Sequence, residues 1–360
     1  MPRGPRQSVD ITLQALLAVG ILAGASIGLA KPSTESAAEP HAVPPRPIGE
    51  IERLDPALDA LIAPDAQVEV LADGFVWSEG PVWLPSEKSL VFSDVPENTV
   101  YRWNAAEGLS VYLRPSGRTK GTRENHEQGS NGLALDNEGR LLLCQHGDRC
   151  VGRMNAPLDQ PLPQYTALIS RHDGKRFNSP NDLTVHSSGS IFFTDPPYGL
   201  DGQEESPAKE LPYQGVYRLD PDGEVTLLTD KLPRPNGITL SPDERTLYVA
   251  QSHKPAKIFM AYELDAGLGI KSSRLLFDAN DLGAKRPGNP DGLKVDRDGN
   301  LFATGPGGVL VLSPDGKHLG TIMTGELIAN CAFGDDGRTL YMTCDRYLCR
   351  VRLLTTGNGF

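Results

Sequence analysis

Six segments of this chain open on an oxygen-bearing side chain and run straight into a short apolar strand. They are Glu79-Gly80-Pro81-Val82-Trp83, Asn131-Gly132-Leu133-Ala134-Leu135, Asn181-Asp182-Leu183-Thr184-Val185, Asn236-Gly237-Ile238-Thr239-Leu240, Asp291-Gly292-Leu293-Lys294-Val295 and Asn330-Cys331-Ala332-Phe333. Their first residues lie 52, 50, 55, 55 and 39 positions apart, which is the period of propeller blades. A repeat of that length is a supersecondary unit that buries its apolar face only against its neighbours, so the six units must fold as one array.

The rest of each unit agrees. A polar turn such as Asp136-Asn137-Glu138-Gly139 or Asp296-Arg297-Asp298-Gly299 follows the first strand, and a second apolar strand such as Leu247-Tyr248-Val249-Ala250 follows the turn. Third strands read Thr99-Val100-Tyr101-Arg102-Trp103 and Gly215-Val216-Tyr217-Arg218-Leu219, and outer strands such as Glu224-Val225-Thr226-Leu227-Leu228 complete the unit. Short strands at regular spacing, with no long 3.6-residue periodicity, predict an all-β fold: a six-bladed β-propeller of four-stranded antiparallel blades. The last unit ends at Leu348-Cys349-Arg350-Val351-Arg352-Leu353 without an outer strand, while Gln67-Val68-Glu69-Val70-Leu71 stands unused before the first. The N-terminal strand is therefore expected to close the ring on the last blade and so remove an open edge. Two stretches, residues 114–129 and 200–213, exceed ordinary loop length, and long insertions on a repeat scaffold gather on one face, where they line a binding site.

The propeller domain is expected over residues 66–360. Before it, Arg3 and Arg6 precede an apolar run over 13–30 that ends in Gly28-Leu29-Ala30, the pattern of a signal peptide over residues 1–30 cut near Ala30. The expected location is periplasmic or secreted; a retained N-terminal membrane anchor is the other reading, since the run nearly spans a bilayer. With the signal removed, no membrane association is expected. Residues 31–65, with Pro44-Pro45-Arg46-Pro47, read as an extended Pro/Ala-rich linker. The net charge of −11, without a block of Lys or Arg, argues against nucleic acid as a partner. Cys144 and Cys150, and likewise Cys344 and Cys349, flank hairpin turns, so cross-hairpin disulfides and buried free thiols are both open readings. No second Cys/His pair stands at zinc-site spacing, which argues against a thiolate metal site.

In a propeller the innermost strands line the central channel, so Glu79, Asn131, Asn181, Asn236, Asp291 and Asn330 are expected to form one ring at one depth. Asn-Gly and Asp-Gly are also turn signals, but Glu79 is a poor turn former and each of these residues precedes a strand. Buried carboxylates need a partner, and a cation on the axis would supply it. Carboxylates mixed with neutral amides form the hard-oxygen set that suits one divalent cation, Ca²⁺ first, with Zn²⁺, Mn²⁺ or Mg²⁺ as alternatives.

Ser78-Glu79-Gly80-Pro81-Val82-Trp83, Ser179-Pro180-Asn181-Asp182, Thr194-Asp195-Pro196-Pro197-Tyr198-Gly199, Pro235-Asn236-Gly237 and Pro290-Asp291-Gly292 closely resemble, in order over about residues 66–355, the gluconolactonase branch of the SMP-30/gluconolactonase/LRE-like family. The resemblance implies a six-bladed propeller with one catalytic divalent cation, its ligands falling on Glu79, Asn181, Asn236 and Asp291. It also implies a sugar lactone as substrate, hydrolysed to the aldonic acid, with Asp291 as general base for the attacking water. Substrate contacts are expected from Asn131, from His146 in Gln145-His146-Gly147-Asp148-Arg149, and from Arg176 and Asn178 just upstream of Asn181. The family has Glu where this chain has Gln145. Hydrolysis of another lactone or a phosphotriester at the same site, or a non-catalytic binding propeller with a structural metal, are the competing readings. The Gly-x-Ser-x-Gly match Gly24-Ala25-Ser26-Ile27-Gly28 lies in the apolar run of the expected signal peptide, none follows it, and no Gly-rich dinucleotide motif is present, which argues against a serine hydrolase and a nucleotide-dependent enzyme.

Overall fold

The computed structural model describes residues 39–121 and 127–360. Among the described residues, six antiparallel blade sheets follow one another along the chain, with a two-stranded ribbon of Arg171–His172 and Lys175–Arg176 between the second and third. The first four hold Ser78–Leu84 through Gly108–Leu113, Ser130–Leu135 through Tyr165–Ile169, Leu183–Val185 through Val225–Thr229, and Pro235–Leu240 through Ile270–Asp278. The fifth runs from Leu293–Val295 to His318–Met323, and the sixth begins with Asn330–Gly334, Thr339–Cys344 and Tyr347–Arg352. Val68–Asp73 supplies the sixth blade's fourth strand, with Val70 opposite Cys349 and Val68 opposite Val351. The expected N-terminal closure is therefore present.

Six apolar clusters among the described residues sit between neighbouring blades, one at each interface. One joins Leu71, Phe75 and Phe92 to Tyr341 and Leu348, sealing the last blade against the first. Because every sheet is covered on both faces, its strands are nearly continuous buried runs, such as Ile191–Asp195 and Leu301–Gly305, rather than clean alternations.

The linker expected over 31–65 is corrected over its described part, from residue 39 onward, which is built into the propeller. His41–Pro47 pairs with Val68–Asp73 as a fifth strand on the sixth blade, and Glu50–Arg53 pairs with His318–Met323 as a fifth strand on the fifth blade. Proline cannot donate to a ladder but is tolerated on an outermost strand, so Pro44, Pro45 and Pro47 sit where their missing N–H groups cost nothing. Glu52 holds Arg286 through two bonds of 2.7 and 2.8 Å, and Leu58 and Ile62 are fully buried in the core beneath. The signal-peptide segment lies outside the described residues. Among them, no helix is long and apolar enough to cross a membrane.

All five cysteines are buried free thiols. Cys144 opposes Val151 while Cys150 opposes Gln145, so the two sulfurs point to opposite faces of the sheet and cannot meet. Cys344 and Cys349 share a face and pack together in the core.

Candidate functional site

The ring exists, and the residue after each ring member explains how it closes. Glu79-Gly80 and Asn236-Gly237 are not turns but the beginnings of strands. A Cβ on Gly80 would lie 1.9 Å from the carbonyl oxygen of Asn131, and one on Gly237 would lie 2.1 Å from that of Asp291. Gly132 is crowded by the carboxylate and backbone of Asn181-Asp182 in the next blade, and Gly292 by the side chain of Asn330. Glycine is required here because neighbouring inner strands touch backbone to backbone around a narrow axis. Hydroxyls then fasten several of the ring backbones to the preceding blade: Ser93 Oγ donates to Asn131 O at 2.9 Å and Thr194 Oγ1 to Asn236 O at 2.7 Å. Thr304 Oγ1 donates to Ala329 O, beside Asn330, at 2.8 Å.

The side chains converge as the sequence predicts. Asn131 Nδ2 donates to Asn181 Oδ1 at 3.1 Å, and Asn181 Nδ2 donates to Asn236 Oδ1 at 2.6 Å. Asn236 Nδ2 donates to Ser252 Oγ at 2.9 Å, and Asn330 Nδ2 donates to Glu79 Oε2 at 3.3 Å. Glu79, Asn131, Asn181, Asn236 and Asn330 are all buried. Asp291 is partly exposed as a residue, but its Oδ1 is buried without a hydrogen-bond partner among the described residues, as is Asn131 Oδ1.

One member was not anticipated. Asp182 occupies the place that glycine holds after Glu79, Asn131, Asn236 and Asp291. Its buried carboxylate accepts from Leu183 N at 2.9 Å and, across the axis, from Asn330 Nδ2 at 3.5 Å. The signal was legible: an acid interrupts a position where close backbone approach otherwise demands glycine. Three carboxyl groups, Glu79, Asp182 and Asp291, thus face one small volume. Burial raises all three, and each of Glu79 and Asp291 is raised further by the charges around it. Glu79 is pushed up to about 8, by burial first and then by Asp182. Lys294 partly offsets the charge of Asp182.

His146 is fully buried, with Nε2 3.2 Å from Asn181 Oδ1 and Nδ1 3.5 Å from Glu127 Oε2. An amide oxygen only accepts, so Nε2 carries the proton; burial lowers the ring to about 4 and keeps it neutral. It touches the ring at Asn181. Arg176 and Asn178 stand elsewhere. Asn178 is fully buried, and its Nδ2 donates to Asp195 O at 3.0 Å and Tyr213 O at 2.9 Å. With its own N and that of Ser179 bound by the Asp195 carboxylate, it shapes the loop leading to Asn181. Arg176 donates through Nη2 to Asp148 O at 3.1 Å and lines a side cavity. Neither has a hydrogen bond to a ring residue among the described residues.

The donor set fits a hard divalent cation. No three His, Cys, Asp or Glu side chains among the described residues form a metal site by themselves, so the amide oxygens of Asn181 and Asn236 are needed to complete one. The orphaned Asp291 Oδ1 and the crowded carboxylates supply charge and open lone pairs. A stability test follows. A carboxyl whose folded value is raised contributes stability that is fully present below its unfolded value, about 4.5 for Glu79, and lost as pH rises through about 8. His146 acts oppositely, but only between about 4 and 6.5. In EDTA, stability from urea unfolding is therefore expected to fall by about 1–2 kcal/mol between pH 6.5 and 8. Saturating Ca²⁺ is expected to flatten that slope, and an unchanged slope would rule out cation binding at the ring.

Fold and site together define a six-bladed propeller with an axial ring of carboxylates and amides. Residues 77–346 match the SMP-30/Gluconolactonase/LRE-like region, and the chain belongs to that family. It is 40% identical over 317 residues to a gluconolactonase of Zymomonas mobilis, covering 86% of this chain and 88% of that protein. It is 28% identical over 283 residues to the regucalcin of Sus scrofa, covering 77% of this chain and 86% of that one. The solved structure of a Xanthomonas campestris gluconolactonase superposes with a TM-score of 0.74 at 34% identity, covering 87% of this chain and 98% of that one.

Proposed function

We propose that this protein is a lactonase, a hydrolase acting on a carboxylic ester, which opens a sugar lactone of the gluconolactone type to its aldonic acid with one divalent cation. Glu79, Asn181, Asn236 and Asp291 would hold the ion, Ca²⁺ first among candidates because every donor is a hard oxygen. The gluconolactonase relatives support the substrate class. The observation that carries the reading is Asp291 Oδ1, buried without a partner beside two other carboxyl groups. When bound, the cation compensates these charges and polarises the lactone carbonyl.

The chain's own groups do the rest. With those charges compensated, Asp291 is ionised and takes a proton from the attacking water. As the bond from the carbonyl carbon to the ring oxygen breaks, Asp291 returns that proton to the departing oxygen. Asn131 Oδ1 is free to accept a substrate hydroxyl. His146, pinned on Asn181, keeps that amide in one orientation and presents no charge.

The test is acid release from glucono-1,5-lactone and a panel of other lactones, with and without EDTA. Activity is expected to vanish in EDTA and return on adding Ca²⁺, Zn²⁺, Mn²⁺ or Mg²⁺. Turnover that persists in EDTA would overturn the metal dependence, and failure on every lactone would overturn the reaction class.

A further inference from the structure

The two long insertions meet beside the axial ring, at a cavity of about 720 Å³ lined from one by Arg118 and Lys120 and from the other by Asp201. Gly199 lines the cavity and packs behind His146, which touches the ring at Asn181, so closely that a Cβ there would lie 2.7 Å from the Cβ atoms of His146 and Ser179. Among the described residues, Lys120, Arg149 and Arg176 line the cavity with two carboxylates, Asp148 and Asp201. That surplus of positive charge stands in a chain of net charge −11, so composition does not account for it. Asp148, moreover, is already engaged by the backbone N and the hydroxyl of Thr119.

Arg149 is the telling residue. It is 5% exposed, and two of its nitrogens are spent on the fold: Nε donates to Phe177 O at 2.6 Å and Nη1 to Ala208 O at 2.9 Å. Its Nη2 is buried and has no acceptor among the described residues. A buried guanidinium N–H without an acceptor is costly, and Arg176 adds like-charge repulsion, second only to burial in lowering Arg149 and partly offset by Glu210 and Asp195. Both penalties vanish if an anion lies between the two guanidinium groups.

We propose that this cavity binds an oxyanion, the phosphate or carboxylate group of a small molecule, with Arg149 Nη2 and Arg176 as its principal donors. Guanidinium groups suit such an anion because their planar N–H forks match its paired oxygens. The anion is either a free ion or the tail of a sugar substrate whose reacting end lies over the neighbouring ring.

Calorimetric titration at constant ionic strength decides the matter, using inorganic phosphate and gluconate 6-phosphate as probes. These assays read no turnover, so they stand whether or not lactone hydrolysis does. Phosphate is expected to bind with a Kd below about 10 mM. Arg176→Gln, at a partly exposed position that should leave the fold intact, is expected to weaken it about tenfold or more through one lost charge-assisted bond. Tighter binding of gluconate 6-phosphate than of phosphate would assign the site to a substrate's tail, and equal or weaker binding would assign it to a free ion. Absence of phosphate binding, or equal binding by wild type and Arg176→Gln, would overturn the proposal.

Discussion

Replacing Asp291 by Asn is expected to lower kcat/KM on glucono-1,5-lactone by about a thousandfold, within the range for loss of a general base together with its electrostatic contribution. The substitution keeps size and shape, so the ring should still assemble. It removes a carboxylate with a buried oxygen that has no hydrogen-bond partner among the described residues and the charge that Glu79 and Asp182 oppose. Stability should move the other way. In EDTA the variant is expected to unfold at a higher temperature, by an amount equivalent to at least about 1 kcal/mol, because like charges no longer share a buried volume. With Ca²⁺ present, its gain in melting temperature should be smaller than the wild type's, since a ligand is gone. A pH-stat assay and thermal unfolding in both conditions check all three effects. An active Asp291→Asn protein would sink the proposed base, and a variant less stable than wild type in EDTA would show that the repulsion is not real. That combination, loss of activity with gain of stability, is what distinguishes a strained functional site from an ordinary structural residue.

The ring was legible in the sequence because a propeller forces equivalent positions to equivalent depths, so repeat spacing alone brought Glu79, Asn131, Asn181, Asn236, Asp291 and Asn330 together. The glycines were read only as competing turn signals; the structure gives them a different cause, contact between inner strands. Asp182 does not stand out from the first residue of each pair; the exception at the second position, an acid where glycine otherwise stands, carries the information. Arg176 and Asn178 lie close to Asn181 in sequence, yet sequence proximity does not say which way a loop turns. The Asp195 carboxylate takes the backbone N–H groups of Asn178 and Ser179, which turns Asn178 inward. The stretch before residue 66 was read as a linker because composition records its prolines and not the exposed edges of two blades that give those residues partners.

Val70→Asp is expected to be the most damaging single substitution outside the ring. Val70 is completely buried in the cluster that includes Leu340, Met342 and Cys349, and it lies in the strand that closes the sixth blade against Tyr347–Arg352. Losing its apolar burial costs about 2 kcal/mol, and placing a carboxyl among hydrocarbon adds at least about as much again. A loss of roughly 4 kcal/mol is a large share of a typical domain's stability. The consequence reaches further than the number, because a closing strand that disengages leaves the edge of Tyr347–Arg352 open, and such edges recruit other chains. The variant should therefore aggregate on heating where the wild type unfolds, as read by light scattering alongside circular dichroism. Glu69→Gln on the same strand is the control. That side chain is about a third exposed, and its 2.9 Å pair with Arg350 should contribute under about 1 kcal/mol. If the two variants were equally stable, ring closure by Val68–Asp73 would not be what holds the propeller together.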